Sequence, residues 1–349
     1  MVTISSPIQS AMLTFPEVFD SSMLSDFKSC PARFRLAYMP GAEWKAKEPS
    51  VHIHAGSAYA KGLEMARKAF YSGEYEMALP DPSGALTAHG TPKLIWTPQR
   101  CEPGNSDTAI AVGLQALLAA YGPFSYPPDS AKSAERMAGA LEFYFTNYPL
   151  DHDTFIPITL PSGRRGIEIS FCHPLPIDHP ETGNPLLYCG RMDAVGAFAG
   201  GTFGLDDKTT TQLGSSWGKQ WDTRAQFTGY CWGLREAGIK VDGFLIRGVS
   251  ILKTKYDTLQ PVTYRPEWQI DRWYNELLGW IEDIKLCWAK EQKGKHHSWR
   301  HNLDHACADY GGCSFRDVCL SQNPQSYLET GFERRHWNPI LREERKLIR

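Results

Sequence analysis

The chain has 349 residues, 42% of them hydrophobic, with 37 Lys and Arg against 39 Asp and Glu and a formal charge of −2. That apolar content supplies one large core or two modest ones and excludes wholesale disorder, while the near-neutral balance excludes nucleic-acid binding through bulk charge and leaves it to local clusters. Met1 to Ser10 lacks the basic start and apolar run of an export signal, and no segment approaches the roughly 20 apolar residues of a membrane span. A cytoplasmic protein with no membrane partner is expected.

Residues 22 to 34 predict a short capped helix, a break at Cys30-Pro31 and a further helical turn. From Gly56 to Tyr71 the spacing of Ala58, Leu63, Met65, Ala66, Ala69 and Phe70 predicts an amphipathic helix with Lys61, Glu64, Arg67 and Lys68 on its polar side. Residues 72 to 106 are rich in Pro and Gly and read as an irregular insertion. Helices near 107–121 and 131–147 follow as a helical lobe. Strands begin near Gly166 with Ile167-Glu168-Ile169-Ser170-Phe171, and Gly200-Gly201 between two runs of aromatic, β-branched and small residues predicts a hairpin turn. A helix from about Trp221 to Ala237, a strand from Gly243 to Leu252 and a long helix from about Glu267 to Lys290 complete an α/β pattern, with a cysteine-bearing loop beyond. No internal repeat or low-complexity tract interrupts it. The terminal stretch Leu341 to Arg349 is a basic cluster that reads as a solvated helix end.

The predicted hairpin carries Asp193 on one strand and Asp206, Asp207 and Lys208 on the other. Two carboxylates and a lysine that converge can bind a divalent metal and activate water against a phosphodiester. A turn centred on Ala199-Gly200 sets Asp193 opposite Asp206; one centred on Gly200-Gly201 sets it opposite Lys208. Either register puts Asp193, Asp206 and Lys208 on one face and turns Asp207 away. Taken alone, Asp-x-Lys reads as a polar strand end. On the next helix Gln226 and Tyr230 are four apart and share a face.

Nine cysteines, an odd number in a chain without an export signal, argue for thiolate ligands or buried thiols over a disulfide framework. Cys307, Cys313 and Cys319 recur at every sixth position and Cys30 stands alone near the start, whereas Cys101, Cys172, Cys189, Cys231 and Cys287 are scattered as small hydrophobes. Gly214 to Gln220 has too short a spacing for a phosphate loop and lacks its final hydroxyl, so the chain carries no helicase motor of its own.

The order Gly190-x-x-Asp193, Asp206-x-Lys208, Gln226-x-x-x-Tyr230 resembles the RecB-type branch of the PD-(D/E)XK nuclease superfamily, and Ser25 to Phe34 resembles its N-terminal Ser...Cys-Pro-x-(Lys/Arg)-Phe segment. Residues 72–150 are the least matched. The resemblance implies a restriction-endonuclease-like mixed sheet flanked by helices, with an inserted helical lobe and a metal-stapled C-terminal segment. It implies one nuclease domain over 1–349: a Cys segment and first core helix at 1–71, a helical insertion at 72–150, a catalytic sheet core at 151–290, and a Cys-rich segment with a basic tail at 291–349. Asp193 and Asp206 would be ligands of Mg²⁺ or Mn²⁺, joined by the backbone carbonyl of Asp207. Lys208 would orient or deprotonate the attacking water, and Gln226 and Tyr230 would hold the scissile strand or that water.

Relatives carry a His on the first core helix where this chain has Ala60. Glu64, one turn further on, is the expected replacement ligand, with His54 the weaker substitute; Glu168 reads either as a second acidic ligand or as a structural acceptor. Cys30 with Cys307, Cys313 and Cys319 resembles the arrangement of the iron–sulfur nucleases, which implies a [4Fe–4S] cluster, with Zn²⁺ as the alternative. Relatives have two residues between the first two terminal cysteines, and here there are five. The implied function is metal-dependent hydrolysis of DNA, expected as an exonuclease on ends or single-stranded regions, in recombination, repair or replication. Phage recombination exonucleases and CRISPR adaptation nucleases are the similar proteins, and a recombinase or helicase is the partner such an enzyme would take. The alternative is a noncatalytic DNA-end-binding scaffold, with Ala60 as the mark of a decayed site; a nuclease directed at RNA is a third reading.

Overall fold

The computed structural model describes residues 13–47, 51–86, 92–122, 130–295, 297–303, 305–308 and 312–340. The basic stretch at 341–349 lies outside them. In chain order the elements begin with β1 (Val18–Phe19), α1 (Ser21–Ser29), α2 (Pro31–Tyr38), β2 (Trp44–Ala46), α3 (Val51–Ser72), β3 (Glu74–Pro80), β4 (Leu94–Arg100), α4 (Ser106–Tyr121) and α5 (Ala134–Asn147). Next come β5 (Ile156–Pro157), β6 (Ile167–Asp178), β7 (Pro185–Phe198), β8 (Gly201–Thr210), α6 (Ser215–Lys219), α7 (Ala225–Glu236), β9 (Gly243–Ile251), β10 (Tyr256–Leu259) and β11 (Val262–Tyr264). The last are α8 (Glu267–Gln292), α9 (Arg316–Leu320), α10 (Pro324–Gly331) and β12 (Phe332–Arg334). Among the described residues no helix is long and apolar enough to cross a membrane.

Two compact units are assembled from alternating segments: Met1–Pro49, Ser170–Gly190 and Glu267–Leu347 form the first, and Ser50–Ile169 with Arg191–Pro266 form most of the second. In the first unit the Asp20 carboxylate accepts the Ser22 and Met23 amides, each at 2.9 Å, and so caps α1. Extended backbone at Cys30 and Pro31 in the first turn of α2 make the expected break. Phe34 packs on Phe27 and stacks on Trp299, with ring centroids 5.5 and 5.9 Å apart, and Arg35 donates to Glu291 of α8 at 2.8 Å. β1 pairs in parallel with β7 through Leu187 and Tyr188, and β12 pairs antiparallel with β2.

The second unit holds the central ladder. β7 pairs antiparallel with β5 and β8, β8 runs parallel to β9, and β10 and β11 pair antiparallel with β9. β6 pairs with β7. This is the mixed α/β sheet flanked by helices that the element pattern predicts. On one side Val249 and Ile251 of β9 meet α3, α4 and α5 in a core that includes Ala58, Leu63, Ala66, Leu117 and Leu141. Gly62 and Gly113 allow α3 and α4 to touch backbone to backbone: a Cβ on Gly113 would lie 2.8 Å from the Gly62 carbonyl.

Four expectations need correction. Residues 74–80 and 94–100 are a regular antiparallel hairpin, Glu74 opposite Arg100 through Pro80 opposite Leu94, where the Pro and Gly content predicts irregular chain. A two-stranded ribbon is all edge, so it tolerates Pro98, which a central strand would not. Helix α3 starts at Val51, not Gly56. Its charged side is buried, with Lys61, Glu64 and Arg67 only 7%, 3% and 5% exposed. Residues 220–223 form a 3₁₀ turn, so α7 begins at Ala225 and not near Trp221.

The turn between β7 and β8 is centred on Ala199-Gly200, with φ of 48° and 84°. Left-handed backbone at a residue with a Cβ costs roughly 1–2 kcal/mol. Ala199→Gly is therefore expected to raise stability by about 0.5–1 kcal/mol in urea unfolding, because relief of that strain exceeds the added freedom of the unfolded chain.

Candidate active site

The turn decides the register. Phe198 pairs with Gly201 and Ala194 with Leu205, so continuing the ladder by one pair sets Asp193 opposite Asp206, the first of the two registers the sequence allows. Asp193 Oδ2 accepts the Asp207 amide at 2.8 Å, and Lys208 Nζ forms an ion pair with Asp206 Oδ2. Asp206 is 4% exposed, whereas the Lys208 side chain keeps 33% of its surface open.

Alternation along β8 gives these neighbours opposite fates. In the parallel ladder Asp206, Asp207 and Lys208 pair with Ile246, Arg247 and Gly248 of β9. The odd-numbered side faces α3 and α5: Arg67 of α3 donates to Asp207 Oδ2 at 2.6 Å and to the Tyr144 hydroxyl at 2.5 Å. Arg247 donates to that hydroxyl at 3.1 Å and holds both oxygens of Asp153 at 2.6 Å. The even-numbered side faces α7, where Phe227 stacks on Phe244 of β9 at 5.0 Å and Tyr230 lies 5.8 Å from the same ring. Gln226 Nε2 donates to the Tyr230 hydroxyl at 2.8 Å, so the two residues that share a face by spacing are also bonded.

Burial and mutual repulsion dominate the electrostatics. Burial, then the charges of Asp206 and Asp207, push the Asp193 carboxyl up to about 7, against the pull of Lys208 and the Asp207 amide. Burial also raises Asp206, and Lys208 offsets part of that rise. Burial favours the neutral amine of Lys208, but Asp206 and Asp193 outweigh it and hold the ammonium above its usual range. Close buried carboxylates short of positive charge are a hard oxygen donor set of the kind that suits Mg²⁺ or Mn²⁺.

The other acidic candidates lie beside this centre. Glu64 is clamped on its own helix by Lys61 at 3.2 Å and by Lys68. Glu168, buried and left-handed at φ 50°, is paired with Arg191 at 2.9 Å. Burial drives its carboxyl well above the usual range; Arg191 opposes this, and the charges of Glu64 and Asp193 add to it. His54 Nε2 lies 2.8 Å from the Tyr121 carbonyl oxygen.

In the first unit Cys30 follows α1, Cys319 lies on α9, and the Cys313 amide donates to the Cys307 carbonyl at 3.0 Å. Burial pushes the Cys319 thiol up to about 11, with added repulsion from Cys313, Cys30 and Cys307. Among the described residues no three His, Cys, Asp or Glu side chains are arranged as a metal site.

The sequence gives no notice of the network formed by Arg67, Tyr144, Arg247 and Asp153. Its one signal is Arg247, the single charge in a strand of apolar residues, glycine and one serine, since a charge at such a position needs a buried partner.

No protein-family model and no curated protein matches the sequence. Among solved structures, the chain is similar to a "putative exonuclease" from Eubacterium rectale at 15% identity and a TM-score of 0.40, over 85% of this chain and 89% of the other. A second, SSO0001, has 14% identity and a TM-score of 0.24, over 47% of this chain and 64% of the other.

A carboxyl near 7 in the folded chain, far above its ordinary 3.8, takes up a proton on folding between those limits, so the fold weakens as pH rises from about 4 to 7. In chelator-treated buffer, Asp193→Asn is expected to melt above the wild type at pH 8, with the gap narrowing below pH 7 and closing only near pH 4. Parallel melting curves across that range read the effect directly.

Proposed function

We propose that the chain is a divalent-metal-dependent nuclease of the RecB-type PD-(D/E)XK class that hydrolyses DNA from ends or single-stranded regions. The observation that carries this is the shared face of Asp193, Asp206 and Lys208, with Asp207 turned to the opposite side and neutralised by Arg67. Asp193 and Asp206 would hold Mg²⁺ or Mn²⁺, with the Asp207 carbonyl as a further donor and Glu64 as the candidate from the first helix. Such an ion supplies Lewis acidity toward the phosphoryl oxygens. The Lys208 ammonium is fixed by Asp206 and partly open, so it orients the attacking water and offsets the charge that grows on the phosphate. Gln226 and Tyr230 lock each other on α7, where they can hold the strand being cut. Hydrolysis at ends would serve recombination, repair or replication, with a recombinase or helicase supplying the substrate.

The one-plus-three order of Cys30, Cys307, Cys313 and Cys319 along the chain supports a second element of the proposal. Cys30, Cys307, Cys313 and Cys319 would hold a [4Fe–4S] cluster as a structural staple, with zinc as the alternative. Protein purified without oxygen is expected to absorb in the thiolate-to-iron region, with the band lost in Cys313→Ser. Colourless protein with stoichiometric zinc reverses that choice.

End-labelled single- and double-stranded DNA incubated with Mn²⁺ tests the activity. The wild type is expected to shorten the label, and Asp206→Ala and Lys208→Ala to lose at least about 100-fold in rate. DNA bound and left intact by the wild type favours the noncatalytic scaffold, and digestion restricted to RNA changes the substrate class.

A further inference from the structure

The face of β8 and β9 that carries Asp206 and Lys208 is bracketed by two aromatic rings, each lying over a glycine. At one end Phe244 covers Gly204, where a Cβ would come within 2.2 Å of the ring. At the other end Trp217 of α6 covers Gly248, where a Cβ would meet the indole at the same 2.2 Å and Leu213 at 2.9 Å. Gly248 is the ladder partner of Lys208. Partners in a parallel ladder carry their side chains to the same side of the sheet, so the indole lies beside the Lys208 side chain on the candidate catalytic face.

The two rings differ in burial. Phe244 is fully buried under α7, whereas Trp217 is half-buried. The indole is nonetheless held firmly. It meets Trp221 edge-on at 5.1 Å, the Trp217 backbone carbonyl accepts from Gln220 Nε2 at 3.1 Å, and the buried Trp221 continues through Phe227 at 5.8 Å into the aromatic packing below α7. The Trp221 carbonyl is itself gripped by Arg265 at 2.6 Å. A rigid, partly open π-surface next to an ammonium suits a nucleobase next to its phosphate, since stacking on an aromatic face is worth about 1–3 kcal/mol per base and tolerates any sequence.

We propose that Trp217 is the stacking platform for one nucleobase of the strand whose phosphate Lys208 engages; the proposal rests on the nuclease reading above. Trp217 is a positioning residue: it sets where the strand lies, and Lys208 meets the phosphate. Any base can stack there, so the contact confers register on the strand without sequence preference.

A set of end-labelled single-stranded oligonucleotides, each with one abasic site at a successive position from the end, tests this in binding and in initial rate with Mn²⁺. For the wild type one position is expected to be sensitive, with about a 10-fold loss of affinity when its base is removed. Trp217→Leu, which still fills the space over Gly248 but has no π-face, is expected to lose a similar factor on intact DNA and nothing further at the abasic position. Trp217→Phe is expected to keep most of the wild-type profile. An unchanged abasic profile in Trp217→Leu, or equal losses for Leu and Phe on every oligonucleotide, overturns the stacking role while leaving the nuclease intact. A wild type that neither binds nor cuts any of the DNA overturns the nuclease reading itself.

Discussion

Which way β8 faces is settled by one buried ion pair, Arg67 on Asp207 at 2.6 Å. A slip of one residue would turn Asp206 and Lys208 toward α3 and bring Asp207 to the face now occupied by the candidate site. The pair resists that slip because a guanidinium without its partner in the core costs about 3–5 kcal/mol. Tyr144 extends the constraint. Its hydroxyl accepts from both Arg67 and Arg247, and Arg247 is neutralised in turn by Asp153. Two guanidiniums, two carboxylates and a phenol thus join α3, α5, β8 and β9 behind the candidate face, with no net charge buried.

Charge balance also organises the neighbourhood of Asp193. Glu64 is held between Lys61 and Lys68, Glu168 faces Arg191, and Lys61 also reaches Glu76 of β3 at 3.3 Å and sits 4.7 Å over the ring of Trp96 of β4. Asp193 and Asp206 share one lysine between them, and burial, with the repulsion between neighbouring carboxylates, raises both carboxyls despite it. A charged helix face buried in this way is costly unless every member is paired. The hairpin of β3 and β4 supplies part of the pairing, which gives the ribbon a structural purpose that its composition conceals.

How much of this was legible depends on the range of the interaction. The period of two in a strand separates Asp206 and Lys208 from Asp207 wherever the strand lies, and the four-residue step on α7 brings Gln226 to Tyr230. Choosing between the two hairpin registers needed the backbone at Ala199 and Gly200, since a Gly pair admits both. The polar side of α3 was misleading for a physical reason. Lys61, Glu64, Arg67 and Lys68 have the spacing of a solvated face, and only distant partners such as Asp207 and Glu76 make their burial tolerable. Trp217 gives no local signal, because its place beside Lys208 follows from Gly248, thirty-one residues further along the chain.

The sequence by itself determined the α/β pattern, the hairpin with its two acidic faces, the break between α1 and α2, and the pairing of Gln226 with Tyr230, because each rests on backbone periodicity or on contacts within a few residues. Tertiary structure alone decided the register of Asp193, the burial of the α3 charges and the seat of the indole over Gly248. It also decided which chain segments gather into each of the two units. Those features depend on pairing between residues far apart in the chain. Local spacing has no access to the partner that makes a buried charge affordable or a glycine necessary.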